Sequence, residues 1–134
     1  MIRGAVLGSP ISHSLSPVLH AAAYEFLNIE GQYRAIDVPG GTLATFFTDN
    51  RENFEYFSLT MPLKEEVLAL GIPMDDHTQL IQSANTLVKS NGSWALSSTD
   101  GSGFLAALDN AGVTTMDSVL VLGAGATARA VTGA

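Results

Sequence analysis

The sequence predicts an α/β protein of three layers, with a mostly parallel sheet that includes one antiparallel hairpin and is followed by a truncated start of a Rossmann-type unit. Short apolar runs typical of buried strands alternate along the chain with segments whose apolar residues recur at helical spacing. Glycine or proline separates most of these segments. The turn Ser90-Asn91-Gly92 joins two strand-like segments, as the turn of a hairpin does.

Three strands, each followed by a helix, are predicted in the first half of the chain. The first apolar run ends at Gly8, which marks the end of a buried strand. Ser16 followed by Pro17 is typical of a helix start, with the serine as N-cap. Thr42 is a second predicted cap, after a Pro-Gly-Gly turn. In order, we predict strand 3–7, a helix from 16 to 27, strand 32–38, a helix from 42, strand 55–60 and helix 63–70.

The second half of the chain is predicted to hold the hairpin, two helices and a last strand. The hairpin strands flank Asn91-Gly92, a dipeptide favoured in two-residue hairpin turns. The last strand is the apolar run before a glycine-rich turn. In order, we predict helix 75–82, strands 84–89 and 93–98, helix 101–111 and strand 118–122.

Length and composition restrict the classes of protein to which the chain can belong. Its 134 residues suffice for one domain with a core but not for two complete domains. No apolar run approaches the ~20 residues of a membrane span, and MIRGAVLGSP lacks the longer apolar stretch of a signal peptide. The absence of cysteine fits a reducing compartment. We therefore expect a cytoplasmic protein with no membrane partner.

Charge and histidine spacing argue against two further partners. The net charge is −7, and the six cationic residues are dispersed along the chain, which argues against binding to nucleic acid. A small anion would have to be bound locally by hydroxyls, helix N-termini or a single lysine. The histidines at 13, 20 and 77 show no ligand spacing with carboxylates, so no metal is expected.

The segment SPISHSLSPVLH, residues 9–20, is the first of three polar clusters that follow strands, where ligands of α/β sheets bind. Ser14 and Ser16 precede or begin a helix and can turn their hydroxyls toward an anion such as a carboxylate. A Ser-His nucleophile would need an orienting acid and an oxyanion hole, and the adjacency of His13 and Ser14 supplies neither. The serines could also serve only to cap the helix and satisfy the loop backbone.

The segment SLTMPLKEEV, residues 58–67, is the second cluster. Pro62 can open a helix whose first turn then carries Thr60 and Lys64 on one side. A lysine near a helix N-terminus interacts unfavourably with the helix dipole, which suggests that the lysine has a functional role. The simpler interpretation is a solvated lysine paired with Glu65 or Glu66.

The segment STDGSGF, residues 98–104, is the third cluster. Asp100 can cap the helix that follows, or it can reach Lys64 to form an acid/base pair that moves a proton during carbonyl reduction. Asn85, in SANTL, adds an amide that can donate to and accept from ligand hydroxyls.

The segment VLVLGAGATARA, residues 119–130, is typical of the entry to a dinucleotide-binding unit. An apolar strand runs into a glycine-rich turn and then a helix, which leaves backbone room for a pyrophosphate. The candidate cofactor-binding residues are Gly123, Ala124, Gly125 and Ala126.

Taken in order, GSPISHSLSPVLH, SLTMPLK, SANTL, STDGSGF and VLGAGATARA resemble the shikimate dehydrogenase family along nearly the whole chain. The resemblance implies NADPH-dependent reversible reduction of 3-dehydroshikimate to shikimate, in the biosynthesis of chorismate and the aromatic amino acids. It implies that Ser14 and Ser16 bind the substrate carboxylate and that Thr60 and Asn85 contact ring hydroxyls. Lys64 would be the general acid or base and Asp100 its orienting partner. A homodimer is among the partners that the resemblance allows.

Two positions depart from the pattern of this family. Asn is usual where this chain has Ser58, and Asn-Thr-Asp is usual where it has Ser98-Thr99-Asp100. Both replacements shorten the side chain and put a hydroxyl where the amide would be, so they bear on substrate affinity more than on reaction type. Members of the family that use quinate share the same set of motifs.

The resemblance divides the chain into a shikimate-binding domain, 1–116, and an incomplete start of an NADP-binding domain, 117–134. The segment from residue 118 onward is shorter than a βαβ unit, which needs about 30 residues. The acid or base that reads the ribose lies ~20 residues beyond such a glycine loop. We therefore expect a C-terminally truncated dehydrogenase that is inactive alone. A non-catalytic shikimate-binding module and a remnant that serves only in association are the alternatives.

Overall fold

Five strands and six helices alternate along residues 1–134, all of which the computed structural model describes. None of the helices is both long enough and apolar enough to cross a membrane. The strands are β1 (Ile2–Gly8), β2 (Gly31–Asp37), β3 (Tyr56–Leu59), β4 (Thr86–Ser90) and β5 (Ser93–Ser97). The helices are α1 (Ser16–Phe26), α2 (Leu43–Asn50), α3 (Leu63–Glu66), which continues as a 3₁₀ turn (Val67–Leu70), α4 (Asp76–Ile81), α5 (Asp100–Asn110) and α6 (Ala126–Thr132).

The strands form one sheet in the order β2-β1-β3-β4-β5. β1 pairs in parallel with β2 and β3, whereas β4 pairs antiparallel with both β3 and β5. Four of the five strands therefore run in one direction, which confirms the predicted mostly parallel sheet with one hairpin. The hairpin turns at Asn91 and Gly92, whose φ angles of 50° and 80° are those that such a two-residue turn requires.

Helices cover both faces of the sheet and make the three predicted layers. The larger core lies on the face covered by α2 and α3, where side chains of alternate strand residues are buried. The smaller core lies on the α1 face, where Tyr24 and Tyr56 pack against Val6 and Tyr33. The buried residues of the larger core are Ala5, Leu7, Val38, Leu43, Phe47, Phe57, Leu59, Leu63, Val67, Ala84, Leu87 and Leu96.

The predicted strand at 118–122 is wrong. These residues belong to no strand, and Leu120 and Leu122 are 84% and 89% exposed. A strand is stable only when a neighbouring strand accepts its hydrogen bonds, and both edges of the sheet are formed by other segments, β2 and β5. The apolar run therefore has the composition of a strand, but no strand of this chain pairs with it.

Two predicted helix caps are also replaced by other groups. Leu15, and not Ser16, occupies the N-cap of α1, and Ser14 Oγ accepts from the Ser16 N–H at 3.3 Å. Thr42 occupies the N-cap position of α2 as predicted, but its hydroxyl donates to the Pro39 carbonyl and makes no cap hydrogen bond. At α2 the carboxylate of Glu66 accepts from the N–H groups of Gly41 and Leu43, at 2.8 and 3.0 Å. A carboxylate is a stronger acceptor than a hydroxyl and complements the positive helix end.

Candidate active site

The ends of four strands bring the predicted polar clusters to one edge of the sheet. The Thr60 N–H donates to the Leu7 carbonyl at 2.9 Å, so the loops after β1 and β3 leave the sheet side by side. The Leu59 N–H donates to the Asn85 carbonyl at 2.8 Å, and the Asn85 N–H donates to the Ser97 carbonyl at 3.1 Å. Because β4 runs in the opposite direction, the residue before it lies at the same edge as the residues after β3 and β5.

Lys64 and Asp100 form an ion pair at this edge. Lys64 Nζ donates to Asp100 Oδ2 at 2.5 Å, and the two side chains are only 16% and 19% exposed. The acids beside the lysine are engaged elsewhere, since Glu65 pairs with Arg129 and Glu66 caps α2. The lysine is therefore not a solvated surface residue paired with its neighbours.

Asp100 does not act as a helix cap. Thr99 occupies the N-cap of α5, and Asp100 is the first residue of that helix. Both carboxylate oxygens of Asp100 accept from side chains, Oδ2 from Lys64 and Oδ1 from Asn85 Nδ2 at 2.8 Å. The interpretation of Asp100 as a partner of Lys64 agrees with this geometry, and that of Asp100 as a cap does not.

The amide of Asn85 is held by the protein itself. Its Nδ2 donates to Asp100 Oδ1 and to Thr99 Oγ1, the latter at 3.0 Å, and its Oδ1 accepts from the Thr99 N–H at 3.1 Å. Both amide protons are thus used to fix the end of β5 and the carboxylate of Asp100. Its predicted contact with ligand hydroxyls stays a prediction.

A cleft of about 520 Å³ lies between the Lys64 turn and the glycine loop. Thr60 and Lys64 line one wall, and Gly123, Gly125 and Ala126 line the other. The prediction that Thr60 lies on the first turn of a helix is wrong. Pro62 occupies the N-cap and α3 begins at Leu63. Thr60 reaches the cleft from the loop instead.

The glycine loop is open on the side of this cleft. Gly123 has φ +112°, a conformation that other residues rarely adopt, and a Cβ added at Gly123 or Gly125 would meet no atom within 4 Å. The helix predicted after the loop is present as α6. The carbonyl of Ala124 accepts from Arg129 Nη1 at 3.3 Å. The loop therefore offers open backbone toward the cleft, which fits the pyrophosphate of a dinucleotide.

Ser14 lies on the loop that begins beside Thr60, and Ser16 is the first residue of α1, which follows this loop. A Cβ added at Gly8, where this loop leaves β1, would come within 2.4 Å of Thr60 Cγ2. Both serines are partly exposed, and neither hydroxyl bonds to Lys64 or Asp100. His13 is exposed, while His20 Nδ1 donates to the Ser16 carbonyl at 2.9 Å. No Ser-His pair is formed, and carboxylate binding by the two serines stays a prediction.

Tyrosine hydroxyls lie behind the site on the α1 face of the sheet. Tyr33 donates to Ser58 Oγ at 2.7 Å, and Tyr56 is hydrogen-bonded to Tyr24. Burial raises the pKa of Tyr33 and of Tyr56 further above neutral, so both phenols keep their protons. Ser58, one of the departures from the family pattern, is thus held by a neutral donor.

Three residues of the site region were missed by sequence reasoning. Glu66 caps α2, Thr127 Oγ1 accepts from Lys64 Nζ at 3.4 Å, and Arg129 pairs with Glu65. Their partners lie 23 to 64 residues away in the chain, so no local spacing signals them. No cluster of three or more acidic or histidine side chains is placed to hold a metal ion.

Comparison with known proteins gives consistent matches. A family model described as the shikimate dehydrogenase substrate binding domain matches residues 6–87. Shikimate dehydrogenase (NADP(+)) of Thermus thermophilus is 43% identical over 131 residues, which are 98% of this chain and 50% of that protein. The structure of shikimate 5-dehydrogenase from the same species, in complex with NADP(H) and shikimate, has a TM-score of 0.93 at 42% identity over 99% of this chain and 51% of that one.

A reductase of a different substrate has the same fold. 5-Ketofructose reductase of Gluconobacter sp. strain CHM43 has a TM-score of 0.85 at 25% identity, over 98% of this chain and 48% of that one. The chain spans about half the length of the relatives it matches.

Proposed function

The chain belongs to the shikimate dehydrogenase family, whose substrate-binding domain it contains, and we propose that it provides the substrate site and the acid/base pair for NADP-dependent interconversion of 3-dehydroshikimate and shikimate. The observation that carries this proposal is the Lys64–Asp100 pair, largely buried and beside a cleft that it shares with a glycine loop. Reduction of a carbonyl by hydride transfer needs a proton donor within reach of the carbonyl oxygen.

Lys64 is the general acid of the proposed reduction. Bound NADPH supplies the hydride to the carbonyl carbon of the substrate. As negative charge develops on the carbonyl oxygen, the Lys64 ammonium donates a proton to it, and in the reverse direction the neutral amine accepts that proton. Asp100 orients the ammonium and stabilises its charge, and Asn85 fixes the carboxylate through Oδ1.

The remaining site residues are assigned by the family pattern. Ser14 and Ser16 bind the substrate carboxylate, and Thr60 and Asn85 meet ring hydroxyls. Gly123, Ala124, Gly125 and Ala126 meet the cofactor pyrophosphate, and the open backbone of this loop supports that role. The assignment divides the chain into a substrate domain, 1–116, and the first part of a nucleotide-binding unit, 117–134. We place the activity in the cytoplasm.

A titration of the purified chain with shikimate, and then with NADP+, tests the proposal. Shikimate is expected to bind, and quinate is the matched comparison because it carries the carboxylate and the three ring hydroxyls of shikimate plus one further hydroxyl. The chain, and the natural protein that carries it, are then assayed for NADPH formation from shikimate and NADP+. Shikimate binding together with turnover in the natural protein supports the proposed dehydrogenase activity. Binding without turnover there indicates a shikimate-binding module, and no binding contradicts both.

A further inference from the structure

The guanidinium group of Arg129, on α6, contacts three other segments of the chain. Its Nε donates to the Ile81 carbonyl at 2.9 Å, and its Nη1 donates to the Ala124 carbonyl at 3.3 Å. Its Nη2 donates to the Gln82 carbonyl at 3.2 Å and to Glu65 Oε1 at 2.5 Å. One side chain thus joins the end of α4, the glycine loop and the α3 turn that carries Lys64.

Arg129 stabilises the C-terminus of α4, which leads directly to Asn85. Ile81 is the last residue of this helix, and Gln82 follows it with φ 51°. Carbonyls at a helix C-terminus lack intrahelical partners, and a cation there is favourable. Two residues further on, the Ala84 N–H donates to the Lys64 carbonyl at 2.8 Å. The segment before Asn85 and the turn of Lys64 are therefore fixed to each other and to Arg129.

Helix α6 lies closely against these elements. A Cβ at Gly101, next to Asp100, would come within 2.6 Å of the Ala130 carbonyl. A Cβ at Gly133 would come within 2.8 Å of Ile81 Cγ2. Thr127, on the first turn of α6, accepts from Lys64 at 3.4 Å. The position of α6 is thus tied to both members of the ion pair.

We propose that Arg129 is a positioning residue, which holds the glycine loop and the Lys64 turn in one geometry so that the cofactor and the proton donor face the same carbonyl. The inference rests on the proposed function. A surface ion pair such as Arg129–Glu65 contributes little by itself. The planar fork of Arg129 reaches four acceptors at once, which the single ammonium of a lysine cannot do.

The substitution Arg129→Lys tests this proposal in the natural protein that carries the chain, because it keeps the charge and removes the fork. We expect kcat to fall and KM for NADP+ to rise, each about tenfold, since a small misplacement near the reacting groups is costly. KM for shikimate should change less than about twofold, because the residues assigned to the substrate keep their places. The matched control is Arg34→Lys, since the Arg34 guanidinium contacts only Gln32.

Amide hydrogen exchange in the purified chain provides a second readout that needs no turnover. In Arg129→Lys we expect faster exchange at the Ala84 amide and at the amide of residue 129, which donates to the Gly125 carbonyl of the glycine loop at 3.1 Å, with β1 unchanged. Unchanged exchange at both places, or an equal rise in KM for NADP+ and for shikimate, overturns the role of Arg129. If the unsubstituted protein neither binds shikimate nor forms NADPH from shikimate and NADP+, the proposed function fails. The exchange result then still decides whether Arg129 positions these segments.

Discussion

At the scale of single residues, the site depends on how Lys64 is held. Its ammonium has three protons, of which one is donated to Asp100 and one weakly to Thr127. The third is free to meet a substrate oxygen in the cleft that Lys64 lines. The same lysine would be a poor proton donor on an open surface, because solvent and mobile side-chain conformers would compete with the substrate.

We predict that Lys64→Ala lowers turnover of the natural protein far more than shikimate affinity. Loss of a general acid costs about 10²- to 10⁴-fold in rate, whereas the hydroxyl contacts assigned to Ser14, Ser16 and Thr60 are kept. Steady-state kinetics give turnover, and a shikimate titration gives affinity. Equal losses in both would contradict the role of Lys64.

The control for this substitution is Lys89→Ala. Lys89 is the only other lysine, and it pairs with Glu52 at the opposite end of β4 from Asn85. Turnover is expected to stay close to that of the unsubstituted protein, so a large loss there would show that the assay responds to stability and not to chemistry.

At the scale of elements, short helices depend on individual capping groups. α4 has only six residues, and Asp75 caps it by accepting from the Thr78 N–H at 2.7 Å. This backbone hydrogen bond is the main reason that the pKa of Asp75 lies below its usual range. α4 leads into the segment of Asn85, so its stability bears on the site.

We predict that Asp75→Ala lowers the free energy of unfolding by about 1 kcal/mol at pH 7. A carboxylate whose pKa is lower in the folded state stabilises the protein above its unfolded pKa, and this contribution is lost as the pH falls through the folded pKa. The difference between the two proteins should therefore shrink below about pH 4. Denaturant unfolding at pH 7 and at pH 3 measures it.

Asp76→Ala is the matched control for the cap. Asp76 lies on the first turn of the same helix but accepts no hydrogen bond from the backbone. It shares the favourable charge at the helix N-terminus, so its loss reports the dipole contribution alone, about 0.3–1 kcal/mol. A pH-independent difference for Asp75→Ala would exclude the ionised cap as the cause.

At the scale of the whole molecule, the apolar run at 118–122 is one of the exposed apolar surfaces. It has the composition of a buried strand, yet its four apolar side chains are exposed, two of them by more than four-fifths. Exposed apolar surface of this kind promotes association.

We predict that Leu120→Ser combined with Leu122→Ser reduces self-association of the purified chain without changing its stability. Substitutions at exposed positions usually change stability by less than about 0.5 kcal/mol. Sedimentation velocity measures association, and denaturant unfolding measures stability. Leu87→Ala, in the main core, should in contrast cost about 2–5 kcal/mol. A comparable loss for the two serine substitutions would show that the run is packed in solution.

The sequence by itself determined the five strands of the sheet, the hairpin, α6 and the residue types of the site. These features depend on local preferences: apolar runs bounded by glycine or proline, Asn91-Gly92 for the hairpin turn, and a glycine-rich segment before a helix. The motif order also indicated the family, because each motif is local and is recognised without knowledge of its contacts.

Only the tertiary structure decided how these parts meet. The pairing of Lys64 with Asp100, 36 residues apart, excluded the alternatives of a solvated lysine and a capping aspartate. The tertiary structure also decided that the carboxylate of Glu66, and not the hydroxyl of Thr42, accepts from the backbone at the start of α2. It likewise decided that Arg129 joins the glycine loop to the Lys64 turn. The strand predicted at 118–122 failed for the corresponding reason. Strand pairing, side-chain ion pairs and caps supplied from a distance depend on which groups the fold brings together, and local preference carries no information about distant partners.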